Sequence, residues 1–218
     1  MVRMKTERFH IGDGCICWSL GDDISLETSA RVLGVYQSLK TGSLMKELQI
    51  HDLVPSYNAL AVHYDPVRSR LHVIIEKVEQ IIDLQLSGAP NSSIPDVKKV
   101  VIPVDYCGED LQRVAEISGL SLPDVIKRHT GVIYTVAMVG FLPHFPYLIG
   151  LDKKLETPRL DSPRKAVPAG SVAIGGAQTG IYPSESPGGW NILGQTDPGL
   201  LISIEPGDLI EFEPMEQT

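Results

Sequence analysis

The chain has 218 residues, 43% hydrophobic and 21% charged, which is the composition of an ordinary globular protein with enough length for one large domain or two small ones. Its net charge of −8 repels phosphate backbones and argues against a nucleic-acid partner. The start, Met-Val-Arg-Met-Lys-Thr-Glu-Arg, is charged with no apolar run behind it, and the longest apolar stretch, Val132 to Leu142, is about half of what a membrane span needs. We therefore expect a cytoplasmic protein with no membrane association and reduced thiols.

In chain order, short apolar runs between residues 7 and 20 are broken by Gly12-Asp13-Gly14, a turn signal, and Cys15 to Leu20 reads as a strand. Cys15 and Cys17 then share one strand face. With Cys107 they are expected to be buried structural thiols, because no further soft ligands stand at metal-binding spacing, and no metal is expected. Ser25 can cap a helix with Glu27 in its first turn. Leu26, Ala30, Leu33 and Tyr36 follow at spacings of four and three, up to Gly42. Leu48–Val54 and Ala59–Tyr64 read as strands joined at Pro55-Ser56. A helix after Asp65-Pro66 carries the stripe Leu71, Ile74, Ile75, Val78, Ile81 and Ile82. Helices packed on one face of a small sheet account for this half.

Residues 86 to 96, Leu-Ser-Gly-Ala-Pro-Asn-Ser-Ser-Ile-Pro-Asp, have the composition of a linker. They divide an expected α/β domain at 1–88 from a second domain at 97–218, with the linker at about 89–96. The second domain opens with a strand at Val100–Val104 and helices at Asp110–Ser118 and after Ser121. Short apolar runs then alternate with Gly and Pro every eight to twelve residues, as in a β-barrel or sandwich. The fold class is α+β.

Several residues in this half carry polar chemistry. Gly-Gly-Ala-Gln-Thr-Gly at 175–180 precedes Ile-Tyr-Pro and lacks the Gly-Lys-Ser/Thr and helix of a phosphate loop, so its glycines point to a hairpin or close backbone packing. Gln178, Gly180 and Tyr182 share one strand face by alternation. The turn Pro187-Gly188-Gly189 can bring Trp190 over the notch at Gly180. This predicts a groove lined by Gln178, Thr179, Tyr182 and Trp190, with core packing of Trp190 and Tyr182 as the alternative. His129, at a helix end, reads as a cap or a satisfied histidine, with a site role left open. His144, between prolines and aromatics, reads as a groove or surface residue. Arg159, Arg164 and Lys165 gather around two prolines, and Arg159 and Arg164 are candidates for contact with a carboxylate or phosphate. No Ser-His-Asp order or Gly-x-Ser-x-Gly elbow is present.

Two long blocks, residues 129–151 with Gly-Phe-Leu-Pro-His-Phe-Pro-Tyr-Leu and residues 158–196 with Gln-Thr-Gly-Ile-Tyr-Pro-Ser-Glu-Ser-Pro-Gly-Gly-Trp, resemble the family that contains the B component of bacterial 5-oxoprolinase, the KipI-type kinase inhibitors and allophanate hydrolase subunit 1. Weaker likeness runs from Gly12 to Tyr64, including Val54-Pro55-Ser56-Tyr57-Asn58. The resemblance implies a cyclophilin-like β-barrel as the second domain. It implies an ATP-dependent complex opening 5-oxoproline to glutamate with subunits A and C, this chain being inactive alone, and it adds His129 and Tyr147 to the groove. Catalytic residues stay unassigned. Its alternatives are a protein contact that inhibits a histidine kinase, and a role in allophanate or urea metabolism. Two departures stand out: His144 where the family has a small residue, usually Gly, and Gln195 where it has Arg.

Overall fold

The computed structural model describes residues 6–41, 43–87 and 97–215. Contacts group the chain into two compact units, 1–96 and 97–218. The expected linker at 89–96 lies outside the described residues.

In the first unit, β1 (Glu7–His10) and β2 (Cys15–Ser19) form a hairpin that turns through Gly12 at φ 65°. Helices α1 (Leu26–Lys40) and α2 (Leu44–Glu47) follow, then β3 (Ile50–Pro55), β4 (Ala59–Tyr64) and α3 (Leu71–Leu86). The sheet order is β1-β2-β4-β3, antiparallel throughout. Ser25 caps α1, its Oγ accepting the Thr28 amide at 3.1 Å. Ile16, Trp18, Leu60 and Val62 of the sheet pack against Val32, Val35 and Leu39 of α1 and Ile74, Val78 and Ile82 of α3. Each such side chain contributes about 1.5–3 kcal/mol when removed from water. Where a strand was expected from Leu48, the chain leaves α2 through Gln49 at φ 55° and pairs only from Ile50. Cys15 and Cys17 are buried, as expected. Cys107 is exposed, against expectation, because it lies in the loop after the strand rather than in a layer.

The second unit runs β5 (Lys99–Val104), α4 (Leu111–Ser118), α5 (Leu122–Thr130), β6 (Ile133–Val139), β7 (Pro146–Ile149), β8 (Arg164–Val167), β9 (Ser171–Gly175), β10 (Gln178–Ile181), β11 (Ser186–Gly188), β12 (Asn191–Gln195) and β13 (Leu209–Pro214). Seven strands form one sheet in the order β12-β9-β10-β7-β6-β13-β5, with β8 and β11 paired separately. Only β13 and β5 run parallel. The two edges nearly meet: Asp105 and Gln195 exchange backbone hydrogen bonds at 2.9 and 2.8 Å, bridging the end of β5 to β12. The sheet is thus a nearly closed barrel, and the chain as a whole is α+β.

Val104, Tyr134, Val136, Leu148, Val172, Ile174, Ile181 and Phe212 fill one core of this unit. A second, smaller cluster joins Phe145, Val167, Ala173, Tyr182, Trp190 and Ile192. Val172 and Ile174 of β9 belong to the first cluster and Ala173 to the second, so the strand's alternation separates the two faces. Among the described residues no helix is long and apolar enough to cross a membrane, and no three His, Cys, Asp or Glu side chains group as metal ligands.

Candidate functional site

The smaller cluster opens on a cavity of about 290 Å³. Its walls are the rings of Phe141, Phe145, Tyr147, Tyr182 and Trp190, and Arg159 stands among them. The backbone of Gly188 and Gly189 and the rings of Pro163 and Pro187 complete the lining.

Phe145 is the hub. Its ring meets Tyr147 at 4.7 Å, Tyr182 at 5.1 Å and 88°, and Trp190 at 5.8 Å and 84°. Tyr147 and Trp190 meet edge to face at 5.8 Å and 74°. Edge-to-face pairs add about 0.5–1.5 kcal/mol each beyond area burial. Two glycines let these rings lie on backbone. A Cβ on Gly175 would fall 2.6 Å from Trp190 Nε1, and one on Gly180 would fall 3.0 Å from the Phe145 ring. The glycine motif therefore serves close packing, with Gly176 at φ 66° making the β9–β10 turn. The notch expected at Gly180 is filled by Phe145 instead of lying open.

Arg159 is exposed, and its guanidinium carbon lies 5.7 Å from the centroid of the Trp190 ring. Among the described residues no carboxylate lies within ion-pair distance of it. Burial raises the phenol pKa values of Tyr147 and Tyr182. The positive field of Arg159 acts against that rise in both, and in Tyr182 the backbone N–H of Trp190 does so as well. The cavity thus offers flat apolar walls, two neutral phenols and one cation with no carboxylate partner among the described residues. That set suits a small planar molecule bearing a single negative group.

The structure brings Tyr147, Tyr182, Trp190 and Arg159 together and sends the other expected site residues elsewhere. Trp190 and Tyr182, only 5% and 3% exposed, are both cluster core and cavity wall, so the two readings of them describe one arrangement. Gln178 is half-buried where β9 turns into β10, outside the lining. Thr179 and His129 are fully buried and line no groove. Alternation turns Thr179 away from Gly180 into the barrel, where its hydroxyl meets His129 Nε2 at 3.1 Å. His129 Nδ1 meets the Tyr106 hydroxyl at 2.7 Å, and its ring stacks on Phe212 at 4.6 Å. Burial lowers its pKa to about 3. It is a satisfied core histidine.

Arg164 does not present itself to an anion either. Its Nε meets Glu109 at 2.7 Å and its Nη2 meets Asp110 at 2.8 Å. His144 is exposed, with φ of 67°, a backbone state that favours glycine. Phe141 has φ of 69° and is 63% exposed at the cavity rim. Phe141 and Phe145 were not singled out from sequence, although both lie in the Gly-Phe-Leu-Pro-His-Phe-Pro-Tyr-Leu block.

The family described as carboxyltransferase domain, subdomain C and D, matches residues 7–201. The 5-oxoprolinase B component of Bacillus subtilis (strain 168) is 37% identical over 227 residues, covering 97% of this chain and 92% of that protein. The 5-oxoprolinase B component of Escherichia coli O157:H7 is 34% identical over 218 residues, covering 95% of each. Among solved structures, TTHA0988 superposes with a TM-score of 0.77 at 34% identity. That match covers 98% of this chain and 41% of the other, so this chain spans about two-fifths of that polypeptide's length.

Proposed function

The chain belongs to the carboxyltransferase subdomain C and D family, among relatives named as the B component of 5-oxoprolinase, and we propose that it fills that place in an ATP-dependent complex that opens 5-oxoproline to glutamate together with subunits A and C. The observation that carries this reading to a site is Arg159 over Trp190 at an aromatic-walled cavity. 5-Oxoproline is a five-membered lactam with one carboxylate. Its flat amide ring matches walls of Tyr147, Phe145 and Trp190, and its carboxylate matches the Arg159 guanidinium. The phenols of Tyr147 and Tyr182, kept protonated, are donors for a lactam oxygen.

The lactam is unstrained and a poor electrophile, and ATP supplies the driving force and activation for ring opening. We read the cavity as a place for the lactam rather than for the nucleotide: among the described residues Arg159 is the sole cation in its lining, and no glycine-rich turn leads into a helix there. We assign the nucleotide to the companion subunits, and to this chain the holding of the substrate: orienting the ring, pairing its charge and excluding water. The barrel is read as the cyclophilin-like type that the resemblance implies.

The test is co-expression with candidate A and C subunits and measurement of glutamate released from 5-oxoproline, with and without ATP. Turnover that needs ATP and disappears when this chain is omitted is expected. Full turnover by A and C alone would overturn the assignment, and a stable complex with a histidine kinase in its place would favour the inhibitor reading.

A further inference from the structure

Helix α4 reaches both sides of the cavity through side chains that are not in it. Asp110, its N-cap, is 6% exposed. One carboxylate oxygen accepts the Ile192 amide at 2.7 Å and the other accepts Arg164 Nη2 at 2.8 Å. Arg164 in turn donates to the Trp190 carbonyl at 3.4 Å. On the helix itself, Arg113 Nε donates to Asn191 Oδ1 at 3.0 Å. Asn191 is fully buried, and its Nδ2 donates to the Pro158 carbonyl at 3.0 Å and the Ile174 carbonyl at 3.2 Å. Arginine only donates and the two carbonyls only accept, so the orientation of this amide is fixed by its partners.

The two routes end on neighbours in space. Pro158 immediately precedes Arg159, and the Arg164 contact is on Trp190 itself. Arg159 and Trp190 are the pair that meet at 5.7 Å. A guanidinium on a flexible stem loses freedom when a ligand holds it, and a backbone already set beneath it leaves only the side chain's own rotamers to be ordered.

We propose that α4 is a positioning brace for the cavity: Asp110 and Arg164 set Trp190, Arg113 and Asn191 set the backbone that carries Arg159, and the cation–aromatic pair is thereby arranged before the ligand binds. None of these four is a catalytic residue. The kinetic part of the proposal rests on the function read above, and the spectroscopic part does not. The competing account is that the same contacts only hold β12 onto the barrel.

Incorporation of 5-fluorotryptophan gives two fluorine resonances, from Trp18 and Trp190, assigned with Trp190→Phe. The brace predicts that Arg113→Met and Arg164→Met each move the Trp190 resonance and leave Trp18 in place. In the reconstituted complex Arg113→Met should raise KM for 5-oxoproline about tenfold with kcat within about twofold, and Arg113→Lys, which keeps a donor, should recover most of the loss. A Trp190 resonance at its wild-type position in both folded methionine variants would overturn the proposal. So would a loss in kcat and melting temperature together that lysine does not rescue. Absence of turnover in the wild-type complex would count against the function alone, and the fluorine spectra would still decide the brace.

Discussion

His129 Nε2 and Thr179 Oγ1 lie 3.1 Å apart inside the barrel, and this contact settles the protons of a buried chain. The Thr179 hydroxyl also meets the Ala173 carbonyl at 3.0 Å, which can only accept, so its one proton points there. His129 must then donate from Nε2, and Nδ1 accepts from the Tyr106 hydroxyl at 2.7 Å. The Tyr134 hydroxyl donates to the His129 carbonyl at 2.8 Å. A neutral imidazole satisfies every partner, whereas an imidazolium would donate to the Tyr106 oxygen and turn the phenol proton away from its present acceptor.

This arrangement predicts a pH dependence of stability. The pKa of His129 is 6.5 in a solvated chain and about 3 in the fold, lowered by burial. Between those values the unfolded chain carries a proton there that the native state does not. Stability is therefore fully present above about pH 6.5 and falls with pH by about 1.4 kcal/mol per unit until the native group also titrates. His129→Gln, which carries no proton, should flatten the urea-unfolding slope between pH 6 and pH 4 by that amount. Equal slopes in the two proteins would show that His129 is hydrated in the fold.

Gly175 is predicted to be as necessary to the cavity as the rings above it. A methyl group there would sit 2.6–2.7 Å from three atoms of the Trp190 indole. Gly175→Ala should displace that ring and cost about 1–3 kcal/mol, the usual range for overpacking. A crystal structure of the variant with Trp190 unmoved would contradict this.

His144 occupies a left-handed backbone position with an exposed side chain. His144→Gly removes the steric cost of that conformation while raising the entropy of the unfolded chain. The net expectation is a stabilisation of about 0.5–1 kcal/mol, read as a higher denaturation midpoint at unchanged slope. A lower midpoint would mean that the imidazole makes a contact worth more than the strain.

Much of the fold is legible in local pattern. Ser25 caps the helix it was expected to cap, its hydroxyl accepting the amide of Thr28, and the helix expected after Ser121 begins there, with the Ser121 hydroxyl accepting the amide of Asp124. The stripe on α3 buries Ile74, Val78, Ile81 and Ile82. Half of the site is legible for the same reason: Tyr182 and Trp190 stand beside glycines that allow close packing, and Tyr147 and Arg159 lie in blocks dense with Pro and aromatics. The remainder depends on partners distant in sequence. Alternation shows that Thr179 and Gly180 face opposite ways, but not which way is inward. Nothing near Arg164 in sequence reveals Asp110, 54 residues earlier, as its counter-ion. The filling of the Gly180 notch by Phe145 needs the β7–β10 pairing, which sets Tyr147 opposite Gly180.

The central claim is that Arg159 pairs the substrate's carboxylate at this cavity, and the most direct test is kcat/KM for 5-oxoproline in the reconstituted complex carrying Arg159→Met. The methionine keeps an apolar stem against Trp190 and removes only the charge. Arg159 is exposed and has no ion-pair partner among the described residues, so the melting temperature should hold. Loss of one charge-assisted pair predicts a fall of roughly ten- to hundredfold in kcat/KM, most of it in KM. An unchanged kcat/KM in the folded variant would contradict the account and place the substrate elsewhere.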